Sequence, residues 1–318
     1  MKKIKAGLLI SLFYLLSFAP ALAHVKWFIE EEEVEETHWY NFLDTPVVVW
    51  ILIVLGVVLL GWFLNRIIKT PKKLTDFTEK YSVQIHRGAQ ILLGIFLLVT
   101  VEFFWGTIIT PHISNTAPVR LIVGLIQYVI GIMFLFGFYP RIASGALMLL
   151  CLMLGYWSGV VVFAENLLLF SLALYFFIKS FKSGVLPVWL EAHALDILRV
   201  GSGICLIVLA FTEKLLFPEF ALAFLANHDW NFMQGILPAF SDNLFVLSVG
   251  MSELIFGLLF TFGYLTRITT IFLALFLATS SVAMFVSVGD WEPGHVVIYA
   301  VALLFLFFGS DTKPTKKD

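Results

Sequence analysis

Residues 124–141, GLIQYVIGIMFLFGFYPR, return as residues 250–267, GMSELIFGLLFTFGYLTR. Gly124, Gln127, Gly131, Gly137 and Arg141 align without a gap on Gly250, Glu253, Gly257, Gly263 and Arg267. Small residues recur on apolar helices because they let backbones approach. That explains the glycines but not the matched Gln/Glu and Arg. Working outward, Arg87 and Thr100 have the same separation as Arg199 and Thr212, and each copy ends in a short apolar run, 166–178 or 296–308. The chain therefore reads as two four-helix repeats, 87–182 and 183–311. An even number of spans gives both copies the same orientation, related by an axis along the membrane normal.

Composition sets the solvent. Of 318 residues, 60% are hydrophobic and 13% charged, against about 25% charged in soluble domains. The fold class expected is an all-α polytopic membrane protein. Nine transmembrane helices are expected at 47–64, 89–109, 121–139, 142–163, 166–178, 200–217, 244–265, 268–288 and 296–308. The first stands outside the repeats. The net charge of −2 and the lack of a separate basic block leave no reason to expect nucleic acid as a partner. Cys151 and Cys205 lie in apolar runs without CxxC or CxxCH, which argues against a disulfide, an iron–sulfur cluster or covalent haem.

The N-terminus has the three parts of a secretory signal peptide: Lys2, Lys3 and Lys5, a short apolar core, and Ala21-Leu22-Ala23 before His24. Segment 1–23 is read as the signal, 24–46 as an acidic periplasmic arm, 47–86 as the first span with its basic cytoplasmic loop, and 312–318 as a cytoplasmic tail. With His24 outside, fourteen Lys and Arg face the cytoplasm and three the other side. This is the expected bias for a bacterial-type inner membrane. The outer connection 218–243 has no Lys or Arg and reads as a cap. Trp39, Trp50, Trp62, Trp157 and Trp291 lie near predicted helix ends and read as the interfacial aromatic belt.

Six polar residues share one depth. At 1.5 Å per residue, Glu102, Gln127, Glu165, Lys214, Glu253 and His295 all lie about 21 to 22 Å above the cytoplasmic helix ends. An ionisable group at a span centre costs about 2.5 to 3.5 kcal/mol. Glu102, Lys214 and Glu253 must therefore face one another or a wet cavity, with Lys214–Glu253 as the obvious ion pair. The first repeat would present Glu102, Gln127 and Glu165. The second would present Lys214, Glu253 and His295, with Glu213 about 100° round the helix from Lys214. Glu253, Lys214 and His295 are the candidate catalytic residues, and Glu102, Gln127, Glu165 and Glu213 candidate substrate-binding ones. Ammonium, carboxylate and imidazole together can donate hydrogen bonds to a carbonyl or exchange protons. That suits quinone chemistry, with Lys214 and His295 on the quinone oxygens, and equally suits proton-coupled transport.

The run Arg199-Val-Gly201, Glu213-Lys214, Pro218, Glu253-x3-Gly257-x5-Gly263-x3-Arg267 and the last span from His295 resembles the DoxX/DoxD-like family of membrane proteins. The resemblance covers roughly 199–309, with 87–179 as a second, weaker copy. It implies four-helix membrane units associated with quinone reduction, thiosulfate oxidation or membrane oxidoreductase complexes. Two departures stand out: Thr212 precedes the Glu-Lys pair where a glycine is expected, and Glu102 stands where the second copy has Lys214.

Cleavage before His24 would join an α-amine and an imidazole on one residue, a pair able to chelate copper, with His38 as a third nitrogen. Three classes follow: a membrane redox subunit handling quinone or protons near the periplasmic face, a small-molecule or copper transporter using the same cavity, and a membrane anchor for a soluble oxidoreductase. The expected partners are the lipid bilayer and a periplasmic or membrane oxidoreductase.

Overall fold

The computed structural model describes residues 40–103, 117–228, 230–288 and 294–309. The signal segment, His24, His38, His112, Trp39, Trp291 and the tail lie outside the described residues, as does the side chain of Glu102. Within them the chain is helical throughout, without a strand.

The elements are α1 (Thr45–Ile67), α2 (Lys72–Lys80), α3 (Ser82–Phe103), α4 (Ala117–Phe136), α5 (Pro140–Ser158), α6 (Val160–Glu165) and α7 (Leu167–Lys179). Then follow α8 (Val188–Ala192), α9 (Ala194–Ala210), α10 (Glu219–His228), α11 (Asp242–Phe262), α12 (Thr266–Val288) and α13 (Gly294–Phe308). Five helices are long and apolar enough to cross a bilayer: Thr45–Ile67, Ser82–Val101, Pro140–Ser158, Ala194–Leu215 and Asp242–Phe262. Four shorter apolar helices accompany them, Leu121–Phe136, Leu167–Lys179, Thr266–Thr279 and His295–Phe308. Leucines such as Leu52, Leu59, Leu121 and Leu149 stand more than half exposed on the outside. A large exposed apolar surface of this kind needs a lipid or protein cover.

The helices close a ring in which the two halves pack alike. The first helix of each half, α3 or α9, lies on the second, α4 or α11, and the third, α5 or α12, lies on the fourth, α7 or α13. Across the halves α7 meets α9 and α13 meets α3. The second and third helices of each half touch least. One apolar core runs through both halves, from Leu93, Leu97 and Ile130 to Leu172, Leu304 and Phe305. Helices α9 and α11 cross at glycines: a Cβ on Gly257 would lie 2.9 Å from the Gly203 carbonyl oxygen.

The repeated arginines explain the repeated spacing. Arg87 donates to the carbonyls of Phe134, at 2.6 Å, and Leu135 at the end of α4. Arg199 donates to those of Phe260 and Thr261 at the end of α11. Arg267 reaches Leu306 and Phe307 at the end of α13, at 3.1 and 3.0 Å, and Arg141 reaches Ser180 just past α7, at 3.1 Å. Each guanidinium meets carbonyls that the helix cannot satisfy, at the negative end of its dipole. The chain leaves α4 and α11 through left-handed Gly137 (φ 76°) and Gly263 (φ 74°), a common glycine stop. A Cβ on Gly263 would sit 2.7 Å from an Arg199 nitrogen.

One sequence expectation is corrected. The span expected at 142–163 is broken at Gly159, whose φ of 93° and ψ of 168° favour glycine alone. The short α6 beyond it packs on α9, in the other half of the molecule. The connection 218–243 contains a helix, α10.

Candidate functional site

The polar cluster is built on a π-helical turn. Residues Phe211–Leu215 continue α9 with the wider winding, closed by the Leu216 amide on the Phe211 carbonyl at 2.9 Å. Such turns are frequent at functional sites, and here it carries Thr212, Glu213 and Lys214. The Lys214 ammonium lies 2.9 Å from Glu213 Oε2 and 3.1 Å from Glu253 Oε2. The Lys214–Glu253 pair is thus present, while Glu213, expected to point elsewhere round the helix, shares the same cation. Gly250 makes room for this: a Cβ there would lie 2.9 Å from Lys214 Cβ. Glu253, three residues on, falls on the same helix face and meets the ammonium.

Glu165 does not join a first-half pocket. It is buried at the end of α6, where Thr212 Oγ donates to its Oε1 at 2.7 Å, and its backbone carbonyl accepts from Cys205 Sγ at 2.8 Å. Gln127 is fully buried in the first half and donates through Nε2 to Thr100 Oγ at 2.7 Å and the Leu97 carbonyl at 3.0 Å. The depth shared in the sequence therefore resolves into two groups. Lys214, Glu213, Glu253 and Glu165 lie along one turn and its neighbours, whereas Gln127 is spent inside its own half.

A cavity of about 740 Å³ lies in the second half. Lys214, Glu253 and His295 line it, and His295 Nδ1 meets Ser281 Oγ at 2.6 Å. Leu206 and Leu209 of α9, Phe245 and Val249 of α11, Leu273 and Phe276 of α12 and Ile298 of α13 form its apolar walls. Ser248 and Ser252 also line it, but their hydroxyls donate to the carbonyls of Leu244 and Ser248 on their own helix, at 2.6 and 2.7 Å.

The connection 218–243 forms a lid over this space. Phe224, Trp230, Phe232, Met233 and Phe240 line the cavity, with Trp230 edge-on to Phe224 and Phe245 at 5.7 and 6.2 Å. Buried Asn231 holds the lid by donating to Asp242 Oδ1 at 2.8 Å and the Phe240 carbonyl at 2.9 Å. Helix α1 packs on α11 and contributes Trp50 and Ile53 to the cavity. Trp50 thus also lines the cavity. Its place near a predicted helix end gave no sign of this.

Among the described residues no three His, Cys, Asp or Glu side chains are grouped to hold a metal ion. His24 and His38 lie outside them.

Helical throughout its described residues, with several bilayer-length apolar helices and a largely apolar cavity ending in an ammonium, a carboxylate and an imidazole, the chain fits the class of helical membrane proteins. No family model matches the chain, and neither curated proteins nor solved structures gave a match.

Proposed function

We propose that this chain is a DoxX-like inner-membrane protein that crosses the bilayer nine times and binds a quinone in the second-half cavity. The five long helices and the four shorter apolar ones make up the nine crossings. The arginine-capped ends face the cytoplasm and the lid faces the periplasm, in keeping with the positive-inside bias. The observation that carries the reading is the convergence of Lys214, Glu253 and His295 on one cavity. Ligand sites are mostly apolar, with a few placed polar groups and volumes of about 300–1,000 Å³, and this cavity fits that description. Lys214 and His295 would hydrogen-bond the quinone oxygens, and Glu253 would take up or release the proton. The cation sits between two carboxylates, so the charged end is arranged before any ligand arrives. The bound quinone would supply the redox chemistry, and a periplasmic or membrane oxidoreductase would be its electron partner.

The test is extraction and mass spectrometry of lipophilic molecules retained by purified protein. Wild type is compared with a Lys214→Ala/Glu253→Ala/His295→Ala variant whose fold is checked by circular dichroism. Quinone retained by wild type and lost from the folded variant supports the reading. Absence of quinone from folded wild type, purified from quinone-containing membranes, refutes it.

A further inference from the structure

The residues that line the cavity are not equally covered. Most are buried or half-buried, but Ile53 on α1 is 41% exposed, Phe232 in the lid is 54% exposed, and Thr279 on α12 is also exposed. These three mark a rim. They lie where the ring is thinnest, since α12 leans on α13 and barely touches α11, while α1, which packs on α11, brings Trp50 and Ile53 to the same cavity. Around this rim the chemistry is apolar. Thr279 Oγ is spent on the Leu275 carbonyl at 2.9 Å, the lid also exposes Ile236 and Leu237, and 218–243 has no Lys or Arg. An opening onto water would leave this collection of large apolar side chains wet. In the outer leaflet the same side chains are solvated by lipid tails.

We propose that the cavity opens sideways into the outer leaflet between α1 and α12, beneath the lid, and that its occupant enters from the membrane. The occupant is an amphiphile with an apolar chain and one polar head. Its head meets Lys214, Glu253 and His295 while its chain lies along Trp50 and Phe276 toward the rim. The first helix, outside both repeats, then has a definite role as one post of the entrance. This inference rests on the membrane placement and binding role proposed above, but not on the occupant being a quinone.

The test uses Ser252→Cys, a cavity-lining position next to Glu253, in protein reconstituted into phosphatidylcholine vesicles. Wild type is the blank, because Cys151 and Cys205 are buried. N-dodecylmaleimide should label the introduced thiol, and a charged, membrane-impermeant maleimide should label it at least about tenfold more slowly. Adding Ile53→Trp and Thr279→Trp, together and singly, should slow the lipophilic reagent by about tenfold in the double variant. Both positions are on the surface, and Leu149→Cys on the far side supplies a lipid-facing thiol whose labelling should not change. Equal labelling by the charged reagent, no labelling by the lipophilic one, or an unchanged rate in the Trp variants each overturns the lateral entrance. A lateral entrance in a protein that retains no quinone would refute the quinone reading alone.

Discussion

Replacing Lys214 by Met tests whether the ammonium holds the cluster together. Its side chain is 11% exposed, and those of Glu213 and Glu253 are 3% and 15% exposed. Lys214→Met would leave two carboxylates facing each other with their shared cation gone. Removing one member of a buried pair costs about 3–5 kcal/mol, and with two carboxylates dependent on one cation the upper end, about 5 kcal/mol, is expected. Against a total stability of about 5–15 kcal/mol, that is a large share. Glu253→Gln should cost less, about 1–3 kcal/mol, because Glu213 still pairs with Lys214. The triple variant Lys214→Met/Glu213→Gln/Glu253→Gln should return to within about 1–2 kcal/mol of wild type, since neutral replacements of a buried ion pair are often tolerated. Reversible unfolding in mixed micelles, followed by circular dichroism, measures all three. A Lys214→Met protein as stable as wild type, or a triple variant no better than Lys214→Met, would refute the shared-cation account. The triple variant also separates stability from function: folded but unable to retain ligand, it would show that the charges serve binding.

Four further outcomes follow from particular residues. Arg199→Ala removes two carbonyl contacts at the end of α11 and an ion pair to Asp196 at 3.3 Å, and should cost about 2–4 kcal/mol. Exposed Arg141→Ala, which loses one hydrogen bond to Ser180 and the stacking of its guanidinium 3.8 Å over the Phe181 ring, should cost about 1 kcal/mol in the same unfolding assay. Gly159→Ala should cost about 1–3 kcal/mol from backbone strain alone, because a Cβ there meets nothing within 4 Å; an unchanged melting temperature would show that the break between α5 and α6 is not held in this conformation. Burial raises the Tyr40 phenol above its ordinary value, and its hydroxyl donates to the Asn243 carbonyl at 2.8 Å. The unfolded phenol ionises first, so this contribution is full below about pH 10 and declines above it. Tyr40→Phe should remove about 0.5–1.5 kcal/mol at neutral pH and flatten the alkaline loss in a stability–pH series.

What could be read before the structure was what the membrane makes costly. Lys214, Glu253 and His295 were selected because ionisable groups in apolar helices must find partners, and geometry places them on one cavity. The arginines were visible as charges at helix ends, but not as caps on the neighbouring helix, since spacing along one chain does not say whose carbonyls lie opposite. That Trp50 also lines the cavity was not legible, because α1 is apolar on every side, leaving no periodicity to mark the face that meets the cavity. Glu165 was assigned to its own repeat by symmetry. The turn at Gly159 instead sends α6 against α9, so its carboxylate meets Thr212 in the other half. The π-helical turn has no signature in Phe-Thr-Glu-Lys-Leu, and without it Glu213 was placed away from Lys214.

The two halves share a packing plan but not a purpose. Thr100 and Thr212 occupy matching positions, and each is engaged by a buried polar side chain. Thr100 receives Gln127 from its own half, a neutral contact with no burden of charge. Thr212 receives Glu165 from the opposite half, and the next two residues carry Glu213 and Lys214. Charge inside a membrane protein is costly unless it is paired or put to use. A chain needing only two copies of one packing unit could have kept the neutral arrangement in both. Among the described residues the charges gather around the turn of the second copy, and the added elements collect there as well: α1 lies on α11, and the lid closes over the cavity beside it. The first half thus completes the ring and braces the π-helical turn through Glu165, while the second carries the cavity and the Lys214 cluster.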